Sequence, residues 1–452
     1  MNFEDIERVA VLGAGNMGHG ITEVAALAGY DVAMRDINEE LVQDGYEQIE
    51  WSLSKLAEKD QISDEEAEAA EERIDAVVDL EEAVADADVV IEAVPERMDI
   101  KKDVYGDLEE FAPDEAIFAT NTSSLSITEL SEVTERPEQF CGMHFFNPPV
   151  RMQLVEVITG AHTSDETLDA VESLADAFGK TPVRVRKDSP GFLVNRVLVP
   201  QMNEACWIVH DDVATVGEVD ATTKFDMGLP MGAFELGDQV GHDVTLHVLE
   251  YLHEVLGAAY EPCPLLEDKV DSEELGRKTG KGFYDYENGG VDIPADAGRD
   301  DVAERLLAVM ANEVGKLVEN DVAPVSDIDE AMQLGAGYPE GPGKRADKHG
   351  LDALVERLEE VHEETGSERY AVADGLRNAA EAGGFYGGDD ESESVEYDQI
   401  AVEIDGSVGH VQLDRPARMN TITVDMLDEL DAALDEFEDD EEVRAVLLEG
   451  AG

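Results

Sequence analysis

Positive charge is scarce in this sequence. Its 452 residues carry 32 Lys and Arg against 107 Asp and Glu, a formal net charge of −75. That deficit excludes nucleic acid as an expected partner, because holding phosphates takes a basic face. Anionic membranes are excluded on the same ground. Long apolar runs are missing as well, and no stretch approaches the roughly 18 residues of a spanning helix. The start, Met1-Asn2-Phe3-Glu4-Asp5, lacks the basic residues of a signal peptide, so the chain reads as cytoplasmic. Cysteine is confined to Cys141, Cys206 and Cys263, an odd number without ligand spacing. They read as free thiols, and no metal site is expected.

What remains is enough to build cores. Hydrophobic residues make up 43% of the chain, so its acidity does not imply disorder. The length suits about three domains. The acid is spread along the whole chain rather than gathered in a tail. At 0.1 M salt the Debye length is about 10 Å and neighbouring carboxylates repel; near 1 M it is about 3 Å and most repulsion is screened. The pattern reads as the style of salt-accumulating halophiles.

Arg8–Leu12 reads as a short buried strand, and Gly13-Ala14-Gly15-Asn16-Met17-Gly18 follows at once. Helical spacing then runs from residue 18 to Gly29, and a second strand, 31–34, ends at Arg35-Asp36. Strands at 88–93 and 116–120 continue the alternation, with a long acidic helical excursion over 40–85 between them. Alternating strands and helices imply a parallel, doubly wound Rossmann-type α/β sheet. In that context Gly13 permits the tight turn, and Gly15 lets the backbone approach a pyrophosphate on the helix N-terminus. Gly18 lets helix and strand pack closely. Asp36 is placed to accept from an adenosine ribose and to repel a 2′-phosphate, which favours NAD over NADP.

After Asp188-Ser189-Pro190-Gly191 the chain turns helical, and a repeat appears. Asn203-Glu204 recurs as Asn312-Glu313, and Asp220 as Asp329. Gly228, Pro230 and Gly232 recur as Gly337, Pro339 and Gly341, and Gly241 and Asp243 as Gly350 and Asp352, always 109 positions on. One offset held over so many Gly, Pro and Asp positions means duplication. The expected domains are an α/β domain over 1–188, helical copies over 189–290 and 300–386, a polar linker over 387–396 and a further segment over 397–452.

His144 ends an apolar strand in Phe140-Cys141-Gly142-Met143-His144, and Glu156 interrupts another in Gln153-Leu154-Val155-Glu156-Val157-Ile158. A buried carboxylate needs a partner, and the imidazole a dozen residues upstream can supply it. Such a pair orients the ring and stabilises its protonated form. That suits a base removing a hydroxyl proton as hydride leaves the same carbon.

Four motifs in order carry a resemblance: Gly13 to Gly18, Asn121-Thr122-Ser123-Ser124-Leu125, His144-Phe145-Phe146-Asn147-Pro148, and Ser189-Pro190-Gly191-Phe192-Leu193-Val194-Asn195-Arg196. Over roughly residues 5–385 the chain resembles the 3-hydroxyacyl-CoA dehydrogenases. The resemblance implies two tandem all-α dehydrogenase C-terminal domains after the Rossmann-type domain, NAD as cofactor and an acyl-CoA substrate. It implies His144 as base with Glu156 as its partner, and Ser123 and Asn195 beside the reacting oxygen and thioester. Met17, Glu96, Lys101, Ser123 and Asn147 fall on the cofactor side, with Glu96 and Lys101 near the nicotinamide ribose. Ser52 and Lys59 resemble coenzyme A contacts. Taken singly, Ser123 would read as a turn cap and Asn195 as a helix cap. A relative acting on a free hydroxy acid or sugar acid, or a non-catalytic structural relative, are the alternatives. The basic stretch Leu275–Tyr284 could meet substrate phosphates or form internal ion pairs.

At the offset of 109, Asn195 maps to Glu304, so the second copy keeps the scaffold and loses the chemistry. Related single-copy enzymes pair through this domain. Here the second copy is expected to pack on the first, giving a monomer with an internal pseudo-dimer, or a homodimer. Finally, Leu413–Ile422 and Val446–Gly452 resemble the opening of an enoyl-CoA hydratase, or crotonase, domain. That resemblance assigns Thr421 to one oxyanion N–H. The rest of such a domain is not within these residues, so a hydratase partner chain is expected and hydration by this chain is not.

Overall fold

The computed structural model describes Phe3 and residues 6–387, 400–405, 408–413, 424–439 and 445–450. It divides into two units, Met1–Gly388 and Asp389–Gly452. The expected linker, its first residue apart, and Thr421 lie outside the described residues.

The first unit opens with β1 (Arg8–Leu12), α1 (Asn16–Leu27), β2 (Asp31–Arg35) and α2 (Glu39–Glu58). After them come β3 (Ile74–Val77), β4 (Val89–Glu92), β5 (Ile117–Thr120), β6 (Phe140–Phe145), β7 (Leu154–Ile158) and β8 (Thr181–Val185). These eight strands form one sheet in the order β3-β2-β1-β4-β5-β6-β7-β8. The order reverses at β1, whose neighbours are β2 and β4. Its carboxyl end is therefore the topological switch point where such sheets bind ligands. The central strands β4, β5, β6 and β7 are buried throughout, which is why they read as unbroken apolar runs.

Two features depart from expectation. The 40–85 excursion is not all helix: β3 pairs parallel to β2 as an edge strand. Of its Ile-Asp-Ala-Val only Ile74 is buried, so it has no periodic signal. The sheet is also not wholly parallel, because β7 runs antiparallel to β6, with His144 opposite Glu156. Only eight residues separate those strands, too few for a parallel crossover.

The helical part is built around α3 (Val194–His210), α4 (Asp300–Glu319) and α5 (Val325–Ala336). The copies meet through reciprocal ion pairs. Arg196 Nε on α3 lies 2.8 Å from Glu313 Oε2 on α4, and Arg305 on α4 pairs with Glu204 on α3. The hydroxyl of Tyr260 completes the first pair and that of Tyr370 the second. Each copy thus presents one Arg and one Glu to the other, the signature of a two-fold interface. Within each copy the same devices recur. Asn203 spans Glu261 and Cys263 by backbone hydrogen bonds, and Asn312 spans Ala371 and Ala373. Asp220 accepts from Phe234 N, Glu235 N and the Tyr284 hydroxyl. Asp329 accepts from Gly343 N, Lys344 N and the Tyr386 hydroxyl.

In the second unit β9 (Ile400–Asp405) and β10 (Val408–Leu413) pair antiparallel. After α6 (Val424–Asp439), β11 (Ala445–Gly450) returns parallel to β10. Ile400, Val411, Met426, Ala433 and Phe437 form its core. No helix among the described residues is long and apolar enough to cross a membrane.

Candidate active site

The nucleotide loop lies at the end of β1. Gly13 has φ +103°, and a Cβ there would fall 2.5 Å from Ala93 O. A Cβ on Gly18 would fall 1.7 Å from Gly13 O, so loop and helix can close only on glycine. Gly15 differs: a Cβ there would meet nothing within 4 Å. The protein does not need glycine at that spot for its own packing, and the open space lies at the N-terminus of α1. That terminus carries no side-chain cap, so its amides are free to meet a pyrophosphate. Asp36, at the end of β2, accepts from Ala14 N at 2.8 Å and from Ile37 N at 2.6 Å. It ties the loop to the second strand while its remaining lone pairs face outward. Arg35 donates instead to Val78 O, away from Asp36.

Across the sheet, His144 Nδ1 lies 2.6 Å from Glu156 Oε2. Glu156 is fully buried, and its other oxygen accepts from Leu193 N and Val194 N, both at 3.0 Å. These amides open α3, so the carboxylate sits at the positive end of a helix and spends its acceptors on three donors. The His144 ring is flanked by Phe146, centroids 4.5 Å apart, and by Phe192 at 5.8 Å.

A second cluster joins the two halves of the site. Asn195 Nδ2 donates to Ser123 O at 3.1 Å. Ser123 N and Oγ both donate to Glu96 Oε1, at 2.7 and 3.1 Å, and the Thr122 hydroxyl donates there at 2.6 Å. Lys101 is 1% exposed, with Nζ 2.7 Å from Glu92 and 3.3 Å from Glu96. Burial pushes the Glu96 carboxyl up, but Lys101, Thr122 and Ser123 together outweigh it and leave it below the usual range. Lys101, so enclosed, is spent on fixing Glu92 and Glu96.

The structure therefore joins His144 with Glu156, and Asn195 with Ser123, Glu96 and Lys101. Adjacent residues Val194 and Asn195 link the two groups. Met17 opens α1, and Asn147 is exposed in the loop after β6. Ser52 and Lys59 stand apart: Ser52 is half-buried on α2 with its side chain hydrogen-bonded to Glu23, and Lys59 ends that helix in solvent. The basic stretch forms internal contacts. Lys278 pairs with Asp243 and Lys281 with Glu274, while Arg277 lies over the Tyr286 ring.

Several contributing residues went unassigned in the sequence. Asn121 Oδ1 accepts from Phe145 N and so fixes the end of the His144 strand. Its place in the Asn-Thr-Ser-Ser motif was the available signal. Lys180 Nζ donates to Pro149 O and Met152 O and clamps the following loop. Burial lowers the pKa of that lysine. Gly20 lets the loop lie on α1, since a Cβ there would fall 2.8 Å from Pro149 Cδ. The His144 loop and the cofactor helix are thereby in direct contact.

A sheet whose strand order reverses at a glycine-closed loop is a dinucleotide-binding sheet, and the matches that follow make it that of an NAD-dependent dehydrogenase. Residues 8–189 match the NAD binding domain of 3-hydroxyacyl-CoA dehydrogenase, and 191–286 and 302–391 each match its C-terminal domain. Residues 403–452 match the enoyl-CoA hydratase/isomerase family. The probable 3-hydroxybutyryl-CoA dehydrogenase of Bacillus subtilis is 45% identical over 284 residues, covering 63% of this chain and 98% of that protein. The fatty acid oxidation complex subunit alpha of Idiomarina loihiensis is 36% identical over 411 residues, covering 85% of this chain and 56% of that one. The crystal structure of 3-hydroxybutyryl-CoA dehydrogenase from Escherichia coli K12 superposes with a TM-score of 0.77 at 29% identity, covering 83% of this chain and 98% of that one. The chain belongs to the 3-hydroxyacyl-CoA dehydrogenase family.

Proposed function

We propose that the chain oxidises (S)-3-hydroxyacyl-CoA to 3-oxoacyl-CoA, passing hydride to NAD and one proton to solvent. The observation that carries this is the 2.6 Å contact between His144 Nδ1 and a buried Glu156 already held by two helix amides. With Nδ1–H given to Glu156, Nε2 keeps the lone pair that takes the hydroxyl proton. Glu156 then balances the imidazolium. Ser123 and Asn195 hydrogen-bond the reacting oxygen and the thioester, and the bond from Asn195 Nδ2 to Ser123 O sets their spacing. NAD, when bound, supplies the hydride acceptor. Gly13, Gly15, Met17, Gly18 and Asp36 would hold its adenosine and pyrophosphate, and Glu96, Ser123 and Asn147 its nicotinamide end.

Ser52, half-buried on α2, and Lys59, exposed at its C-terminal cap, are assigned to coenzyme A on the family resemblance. The two helical copies act as one pseudo-dimer within a monomer, cytoplasmic and working with a hydratase partner chain. An assay of NAD and NADP reduction with short and long (S)-3-hydroxyacyl-CoAs, in molar salt, tests the reading. Turnover with NAD and a CoA thioester, and far less with free hydroxy acids, is expected. Turnover of free hydroxy acids alone would overturn it.

A further inference from the structure

The second helical copy lacks the site's polar residues, yet it touches the site at two independent places. The first is α5. A Cβ on Gly335 would fall 2.7 Å from Leu154 Cδ2, 2.9 Å from Val194 Cγ2 and 3.3 Å from Phe146 Cε1. Each of these neighbours bears on the catalytic pair. Leu154 lies two residues before Glu156 on β7, so both face the same side of the sheet. Val194 N holds Glu156 Oε1, and the Phe146 ring lies against His144. The second place is α4. Glu313 Oε2 holds Arg196, one residue after Asn195 and two after Val194, through a buried ion pair. Tyr260 joins that pair from the first copy.

We propose that the second copy is a working wall of the active site, with Gly335 and Glu313 as positioning residues for the dehydrogenation. This rests on the reading of His144 and Glu156 above. Gly335 lets α5 approach closely enough to press Phe146 and Val194 into place. Glu313 anchors the first turn of α3, whose amides aim Glu156 and whose Asn195 aims Ser123. Neither residue touches the substrate. Their effect passes through the orientation of the imidazole and of Asn195, so it falls on turnover rather than on NAD binding.

The test is steady-state kinetics of Gly335→Ala, Gly335→Val and Glu313→Gln in molar salt, with Leu358→Ala as a control. Leu358 is buried in the second copy's own core, away from these contacts. Gly335→Val should lower kcat on the order of 10- to 100-fold, and Gly335→Ala less, with KM for NAD unchanged. Adding Leu154→Ala to Gly335→Val should recover part of the loss by freeing the space. Glu313→Gln should lower kcat and shift the pH profile of turnover, because it loosens the amides that hold Glu156. Leu358→Ala should lower the melting temperature and leave kcat within about twofold. If Gly335→Val keeps wild-type kcat, or if Leu358→Ala loses kcat as fully, the second copy is scaffold only. Absence of turnover in the wild type would instead overturn the functional reading, so the two failures are distinct.

Discussion

His144 has its Nδ1 committed to Glu156, and the proposed function gives Nε2 to the substrate; this division sets the first prediction. His144→Gln should cut turnover by on the order of 10² to 10⁴, the usual worth of a general base, with NAD affinity little changed. The residue was legible because a glutamate inside an apolar strand needs a partner and a histidine at the end of the preceding strand can supply one. The donors that hold Glu156 from behind were not, since Leu193 and Val194 contribute backbone amides that no side chain announces. Asp36 holds Ala14 N, and the proposed function gives it the adenosine ribose as well. Asp36→Ala should weaken NAD more than NADP; parallel titrations that leave the preference unchanged would reject its ribose role. Glu23 supplies a pH dependence. It is 1% exposed on α1, and burial pushes its carboxyl up from about 4.5 to about 7, against a small opposing contribution from Ser52. Between those values the folded chain keeps a proton that the unfolded chain has released, so stability falls as pH rises through the window and is level above it. Glu23→Gln removes the effect. It should stabilise the protein by roughly 2–3 kcal/mol at pH 8 and by nothing at pH 4, read from paired denaturation curves. Equal stability of the two proteins at pH 8 would contradict the assignment.

Among the elements, α3 does the most. Its first turn holds Glu156 and reaches Ser123, and the same turn is fastened to α4 by Arg196. The symmetric pair, Arg305 with Glu204, lies farther along the same interface and touches no site residue. Both of its side chains are almost wholly buried, and the Tyr370 hydroxyl donates to Glu204. Arg305→Met alone leaves the buried Glu204 with only the Tyr370 hydroxyl and the charge of Arg369 and should cost about 3 kcal/mol, while combining it with Glu204→Met and Tyr370→Phe should return most of that. Chemical denaturation of the single and triple variants checks this, and a single variant as stable as wild type would contradict it. The reciprocity was open to reading, since Arg196 and Arg305 share the 109 offset with Glu204 and Glu313. Which Arg meets which Glu was not, because the offset is the same whether copies pair within themselves or across. Strand β3 was hidden for another reason: an exposed edge strand with one buried side chain looks like any polar turn. An apolar run does not encode direction, and the signal for the reversal at β7 was the short connection of residues 146–153.

At the scale of the whole molecule, charge and architecture pose separate questions. A formal charge of −75 repels itself less as counter-ions become dense. The melting temperature should therefore rise between 0.1 M and about 2 M KCl; a flat profile would contradict the halophilic reading. The architecture was largely legible, because Gly13 and Gly18 of the nucleotide loop and glycines of the repeat sit where a side chain would clash. Gly232 and Gly341, for instance, each lie against the buried Asp220 or Asp329 of their own copy, where any Cβ would clash. What the sequence could not convey was that the second copy would pack, at Gly335, against Leu154, Val194 and Phe146, the neighbours of His144 and Glu156. The central claim is that one imidazole, aimed by one buried carboxylate, oxidises a CoA-bound alcohol with NAD. It is tested most directly by following NADH formation from (S)-3-hydroxybutyryl-CoA with wild type and His144→Gln, both saturated with NAD in molar KCl. The account predicts steady turnover by the wild type and a loss of at least about 10²-fold in the variant, with equal NAD binding. Equal rates from the two proteins, or no NADH from either, would contradict it.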